Sequence, residues 1–211
     1  MYIAIEGVIG VGKTTLARLL QSSFDAELLL EIFEENPFLS DFYSDRERYA
    51  FQTQIFFLLS RYHQQRKGVL EALEKKSTLI SDYTFEKDRL FAEVNLDGDE
   101  LEMYYKVQEA LAEKITRPDL VVYLKAATDV LMHRIAQRDR SYERQMDVNY
   151  IDTLNHTYEA KYNHANEKNV LIINTNDLDF VRHPEDLELV KQRIRQTLRL
   201  SPFQENLPID L

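Results

Sequence analysis

Five short apolar runs, each nearly continuous, set the tightest limit on how this chain can fold. They are YIAIE (Tyr2–Glu6), ELLLE (Glu27–Glu31), TLISD (Thr78–Asp82), LVVYL (Leu120–Leu124) and VLIIN (Val170–Asn174). A strand with one face in water alternates apolar and polar residues. An unbroken run is how a strand reads when a parallel sheet buries both of its faces. Between the runs lie stretches with helical spacing: TTLARLLQSSF, then YAFQTQIFFLLSRYHQQRKGVLEAL, then DELEMYYKVQEALAEKI. The last opens on acidic residues, which a first helical turn favours. Strands alternating with helices specify the α/β class, here three layers with a five-stranded parallel sheet and helices on both faces. A chain of 211 residues with no repeat and no low-complexity linker is expected to form one domain, 1–211. The proline-punctuated tail SPFQENLPIDL reads as irregular surface chain.

Bulk chemistry narrows the function. The net charge is −10, which argues against non-specific binding to nucleic acid or to an anionic membrane. Cysteine is absent, so disulfides, thiolate metal sites and thiol catalysis are excluded. MYIAIEG reads as a strand and not as a signal peptide, and no run approaches the roughly 20 apolar residues of a membrane span. The expectation is a soluble cytoplasmic protein with no nucleic-acid or membrane partner. The five histidines show no metal-ligand spacing and are assigned to the surface.

GVIGVGKT, Gly7 to Thr14, fits G-x-x-x-x-G-K-[ST] between a strand and a helix, the context that motif needs. Gly7, Gly10 and Gly12 let the backbone curl so that several N–H groups aim at one anion, and the following helix adds its positive end. Lys13 can reach the outer phosphates, Thr14 can ligate Mg²⁺, and Thr15 can add a phosphate contact. Asp82, at the tip of the third run, is placed to hold the same metal. A second phosphate element is HRIAQRDRSYER, with Arg134, Arg138, Arg140 and Arg144 in an otherwise acidic chain. Arg134 and Arg138 share a helix face; Arg140 and Arg144 enter a segment that loses helical character. Guanidinium forks match phosphate oxygens, so an arginine-rich lid over about residues 134–146 is expected. Most charge runs are solvated faces; the phosphate loop in the same chain favours the lid.

The acceptor is named by the second run. Its Glu31 would face the phosphates across the cleft. A carboxylate there repels a phosphorylated acceptor and suits a neutral hydroxyl. The chain also lacks the Asn-Lys-x-Asp signature of guanine readers.

With these residues the sequence resembles the deoxynucleoside kinase family, in particular its bacterial purine branch, from IAIEGVIGVGKTTLA to INTNDLDF. The resemblance implies a P-loop kinase that uses ATP and Mg²⁺ to phosphorylate the 5'-hydroxyl of a deoxynucleoside in nucleotide salvage, commonly as a homodimer. It makes Glu31 the general base, with Lys13 and Arg138 acting on the transferring phosphoryl. Tyr43 and Glu143 match contacts to the sugar 3'-hydroxyl. Gln54 matches the residue that bonds the base, Arg61 one that reads the base edge, and Asp88 its acidic partner. Gln54 and Arg61 are two helical turns apart and so share a side; Gln52 replaces Gln54 if the register slips by two. Phe33, Leu39 and Phe91 would wall the base, or fit equally as plain core. Arg134, Arg138 and Arg140 would face the phosphates, and Asp179 and Phe180 fall where the family packs the donor's adenine.

One departure stands out. Much of the family carries Glu-Arg-Ser after the third strand, where this chain has Asp82-Tyr83-Thr84. The missing arginine's charge is expected from a lid arginine or from Arg89. The Arg61 and Asp88 pair suits deoxyadenosine or deoxyguanosine, with deoxycytidine as a third candidate. Two other readings are a thymidylate-type mononucleotide kinase and a non-catalytic subunit that kept the fold.

Overall fold

A computed structural model describes residues 1–32, 36–163 and 169–200. Five strands form one fully parallel sheet: β1 (Tyr2–Glu6), β2 (Ala26–Leu29), β3 (Thr78–Ser81), β4 (Leu120–Lys125) and β5 (Val170–Asn174). Their order across the sheet is β2-β3-β1-β4-β5. Ile3 stands beside Ile80 and Leu120, and Leu124 beside Ile173. The chain leaves β1 to build β2 and β3 on one side, then crosses to build β4 and β5 on the other. That reversal opens a crevice beyond the C-terminal ends of the central strands, where α/β sheets bind ligands.

Among the described residues eight α-helices surround the sheet: α1 (Lys13–Leu20), α2 (Leu39–Ser44), α3 (Arg46–Lys75), α4 (Lys87–Asn95), α5 (Gly98–Ala112), α6 (Thr128–Arg138), α7 (Val148–Asn163) and α8 (Pro184–Thr197). Alternate residues of β1 point to opposite faces. Tyr2 and Ala4 pack with Val69 and Ala72 of α3, while Ile3 and Ile5 join Leu16 and Leu20 of α1 and Val190 and Ile194 of α8 in the other layer. The expected three-layer arrangement is present.

Two ends differ from expectation in a way that matters. β2 stops at Leu29 and β3 at Ser81, so Glu31 and Asp82 lie just past the ladder. A residue inside a strand points into one layer; a residue beyond it is free to turn into the crevice. The second helical stretch proves to be one 30-residue helix, capped by the Asp45 carboxylate accepting from Arg48 N at 3.3 Å. Helices α2, α4, α7 and α8 were not legible as separate elements. α8 carries start signals all the same: Pro184 in the first turn, followed by Glu185 and Asp186. Among the described residues no helix is long and apolar enough to cross a membrane. The tail from 201 lies outside the described residues. His63, His133, His156 and His183 lie at the surface, as expected; His164 lies outside the described residues.

Candidate active site

The phosphate loop is built by its glycines. Gly12 has φ +103, and a Cβ there would stand 3.0 Å from the ring of Phe180. Gly10 has φ +89, and a Cβ there would meet Ile135 at 2.8 Å and the Leu131 carbonyl at 2.9 Å, both in α6. The loop therefore touches the helix that leads into the arginine-rich segment. Lys13 folds back over the loop, donating to the carbonyls of Gly7 at 2.7 Å and Val8 at 3.0 Å. Burial pulls its pKa down, and nearby Lys87 pulls further; the carboxylates of Glu6, Glu31 and Asp82 only partly offset this, leaving it at about 8. An anion held by the loop's N–H groups would favour the charged form of this amine.

Thr14 Oγ1 donates to Asp82 Oδ2 at 2.5 Å, and Asp82 Oδ1 accepts from the backbone N of Glu31 at 2.8 Å. Two hard oxygens thus converge from the start of α1 and the tip of β3. Among the described residues no group of three or more metal-ligating side chains occurs. The Thr14 and Asp82 oxygens could hold Mg²⁺, which takes one or two protein oxygens and fills the rest of its shell with water and phosphate.

Beside the loop lies an open cavity of about 850 Å³, lined by Gly10, Gly12, Thr15, Arg134, Asp179 and Phe180 among others. Arg134 does not point at the loop's anion nest. Its guanidinium donates to Thr175 O at 2.7 Å, Thr175 Oγ1 at 3.1 Å, and the carbonyls of Val11 and Leu178. It clamps the loop to the segment after β5. Asp179 turns that segment, accepting from Val181 N and Arg182 N, and Phe180 is buried against Gly12. Both wall the cavity through the shape of the turn.

The acceptor side is a tighter space of about 100 Å³. Every expected acceptor residue except Asp88 and Phe33 lines it: Glu31, Leu39, Tyr43, Gln54, Arg61, Phe91 and Glu143. Phe33 lies outside the described residues. Asp88 is fully buried behind the wall and pairs with Arg61 through Nη1. Gln54 is buried and Gln52 exposed, which settles the helix register. The Gln54 Oε1 finds no partner among the described residues. A buried amide oxygen is seldom left so, which marks it for a ligand.

Glu31 is held by two cations. Arg61 donates to Oε1 through Nε at 3.1 Å and through Nη2, and Lys87 Nζ stands 2.5 Å from Oε2. Burial pushes the Glu31 carboxyl up, but Arg61 and Lys87 outweigh it and hold the group well below the usual carboxylate range. Arg89, expected as a source of the missing arginine's charge, does not supply it. It sits two positions from Lys87, hence on the other side of α4, where it pairs with Glu93 at 3.2 Å and covers Tyr105. Tyr83, standing where the arginine would, is fully buried. Its hydroxyl donates to Gln64 Oε1 at 2.5 Å, and Gln64 Nε2 donates to the Leu30 carbonyl at 2.7 Å. Tyr83 thus braces the backbone that presents Glu31.

α6 ends at Arg138, where Asp139 takes a left-handed turn with φ +49, as the loss of helical character there predicts. Arg138 forks onto Glu143 with contacts of 2.7 and 3.1 Å, and Arg140 Nη1 lies 3.6 Å from the same carboxylate. The two lid arginines are thus turned to Glu143 at the boundary of the two cavities. Tyr142 stacks on Tyr43 with ring centroids 5.9 Å apart. Lys87, Phe57, Tyr142 and Tyr150 also line the acceptor space and were missed in the sequence. Phe57 had a signal: it is one helical turn from both Gln54 and Arg61. Lys87 had only its place next to Asp88.

Comparison with known proteins agrees with this geometry. A profile of the family described as deoxynucleoside kinase matches residues 3–199. A deoxyguanosine kinase of Bacillus subtilis (strain 168) is 34% identical over 201 residues, covering 93% of this chain and 97% of that one. A deoxyadenosine/deoxycytidine kinase of the same organism is 29% identical, covering 93% and 92%. The solved structure of deoxyadenosine kinase from M. mycoides with bound dCTP superposes with a TM-score of 0.79 at 28% identity, covering 93% of this chain and all of that one. The chain belongs to the deoxynucleoside kinase family and is an enzyme of that class.

Proposed function

We propose that the protein transfers the γ-phosphoryl of ATP to the 5'-hydroxyl of a purine deoxynucleoside, deoxyguanosine or deoxyadenosine, in nucleotide salvage. The observation that carries this reading is the carboxylate of Glu31, set just past β2 and lining one space with the phosphate-loop residues Gly10, Lys13 and Thr14, together with an amide oxygen on Gln54 that has no partner among the described residues. A carboxylate accepts from a neutral hydroxyl and rejects a phosphate. Relatives named for deoxyguanosine and deoxyadenosine support the purine base.

The open cavity beside Gly12 takes the nucleotide, and the loop N–H groups with Lys13 receive its phosphates. Thr14 and Asp82 hold Mg²⁺, which neutralises charge on the phosphate oxygens. On the acceptor side Gln54 bonds the base edge. Arg61, kept aimed by Asp88, turns from Glu31 to the base. A space of about 100 Å³ falls short of the roughly 300 Å³ at which ligand pockets begin, so the lining gives way when the nucleoside enters, and on this reading Arg61 is the residue that moves. Tyr43 and Glu143 hold the sugar, freeing Arg138 and Arg140 to turn to the phosphates. Glu31 then accepts from the 5'-hydroxyl. A carboxylate held this far down is a weak proton acceptor, and phosphoryl transfer through a loose transition state asks mainly for aim. Orientation is the larger part of its work. The whole chain acts as one domain; a cytoplasmic location and a homodimer belong to the same proposal.

The test is a panel of the four deoxynucleosides with ATP and Mg²⁺, followed by product analysis. Preference for deoxyguanosine or deoxyadenosine supports the reading. Preferred thymidine overturns the purine assignment. Activity on a deoxynucleoside monophosphate but on no nucleoside makes the protein a mononucleotide kinase instead.

A further inference from the structure

The two cations on Glu31 come from different helices and have different commitments. Arg61 divides itself between Glu31 and Asp88. Lys87, in the first turn of α4, pairs with Glu31 alone among the described carboxylates. It is 6% exposed, a burial that lysine almost never reaches unless paired. Its Nζ lies 5.6 Å from the ring centroid of Phe91, so its stem is packed as well as its charge. Lys87 lines the acceptor space together with Glu31 and the phosphate-loop lysine, Lys13. Tyr83, which follows the neighbouring strand, contributes a brace and no charge.

Entry of a nucleoside separates the two cations. Arg61 lines the acceptor space and has Asp88 as a second partner that can keep its charge paired. Lys87 has no second carboxylate within ion-pair distance among the described residues. We propose that Lys87 is a positioning residue of the transfer step, keeping the Glu31 carboxylate aimed at the acceptor hydroxyl once the nucleoside has drawn Arg61 away. The inference rests on the reading of Glu31 given above. Methionine replaces the lysine stem atom for atom up to Cε and removes the ammonium, so Lys87→Met tests the charged group while keeping the packing, and Lys87→Arg restores the charge.

Steady-state kinetics with ATP, Mg²⁺ and the preferred deoxynucleoside decide the matter, with thermal melting as a control. The expected result for Lys87→Met is a kcat about a hundredfold lower, the loss that follows misaiming of a reacting group. The nucleoside KM should stay within about threefold of the parent, because ground-state binding is not what is lost. Lys87→Arg should recover to within about tenfold of the parent kcat. The proposal is overturned if Lys87→Met turns over at the parent rate, if its loss lies wholly in KM, or if Lys87→Arg is as slow as Lys87→Met. Should Lys87→Met not melt cooperatively, Lys87→Arg decides alone, active for and inactive against. A parent chain that phosphorylates no deoxynucleoside removes the functional reading, and this inference with it; an active parent beside an equally active Lys87→Met removes this inference only.

Discussion

The two halves of the site are built on opposite plans. On the donor side the charged groups rest on backbone: Lys13 on the carbonyls of Gly7 and Val8, Arg134 on those of Val11, Thr175 and Leu178. The cavity stays open at about 850 Å³. On the acceptor side the charges rest on one another: Arg61 with Glu31 and Asp88, Lys87 with Glu31, Arg138 with Glu143. That space is closed to about 100 Å³. Backbone acceptors are fixed by the fold, so a site made from them is ready before its ligand comes. Paired side chains can exchange partners, so a site made from them can hold its shape empty and rearrange when filled. The first plan suits the common donor, the second an acceptor that must be discriminated.

Three substitutions probe this contrast. The largest effect is expected on the acceptor side, from Glu31→Gln. It should lower kcat about a thousandfold, within the range for loss of a positioned acid or base, while nucleoside binding by calorimetry stays within a few-fold. Turnover at the parent rate would show that the carboxylate is a wall and not a participant. An intermediate effect is expected on the donor side, from Gly12→Ala. The added Cβ meets Phe180 at 3.0 Å on a backbone with φ +103. Strain of about 1–3 kcal/mol should raise the KM for ATP about tenfold and leave the nucleoside KM alone. Equal changes in both constants would mean that the two halves are not separately built. The smallest effect is expected from Tyr83→Phe, which leaves Gln64 Oε1 without its donor. A loss of about 1 kcal/mol in urea unfolding is expected, with little change in kcat. A large fall in kcat would give the phenol a role in the chemistry beyond bracing.

The same contrast explains what the sequence made legible. Gly7 to Thr14 is a contiguous motif whose chemistry lies in its own backbone, so the residues alone declare it together with its strand and helix. The five strands were equally plain: β1, β3 and β4 are buried on both faces, and the half-buried edge strands β2 and β5 still kept apolar runs long enough to read. Glu31 could be reasoned to its place from the strand that ends beside it. Gln54, Arg61 and Asp88 needed a family resemblance, because nothing local shows which residues of α3 and α4, separated in the chain by β3, face each other. Lys87 escaped both routes. Nothing local separates a lysine bound for a buried carboxylate from one on a solvated face, and attention fell on Arg89, which the helix turns outward. The lid arginines were legible as a group, but which of them would spend its guanidinium on carbonyls depended on the turn after β5.

The contact between Gly10 and α6 has a mechanical consequence. Ile135 and Leu131 lie against that glycine, and Arg134 ties the same helix to Val11 and Leu178. The body of α6 is thereby bolted to the phosphate loop. The left-handed residue Asp139 is where the chain first leaves that anchorage, and around it Arg138 and Arg144 hold the following turn through their side chains. Any displacement of the turn after α6 is therefore expected to start at Asp139 and to leave the contact between α6 and the loop in place. On the proposed reading, that would open the nucleoside's side of the site without disturbing the frame that receives the phosphates.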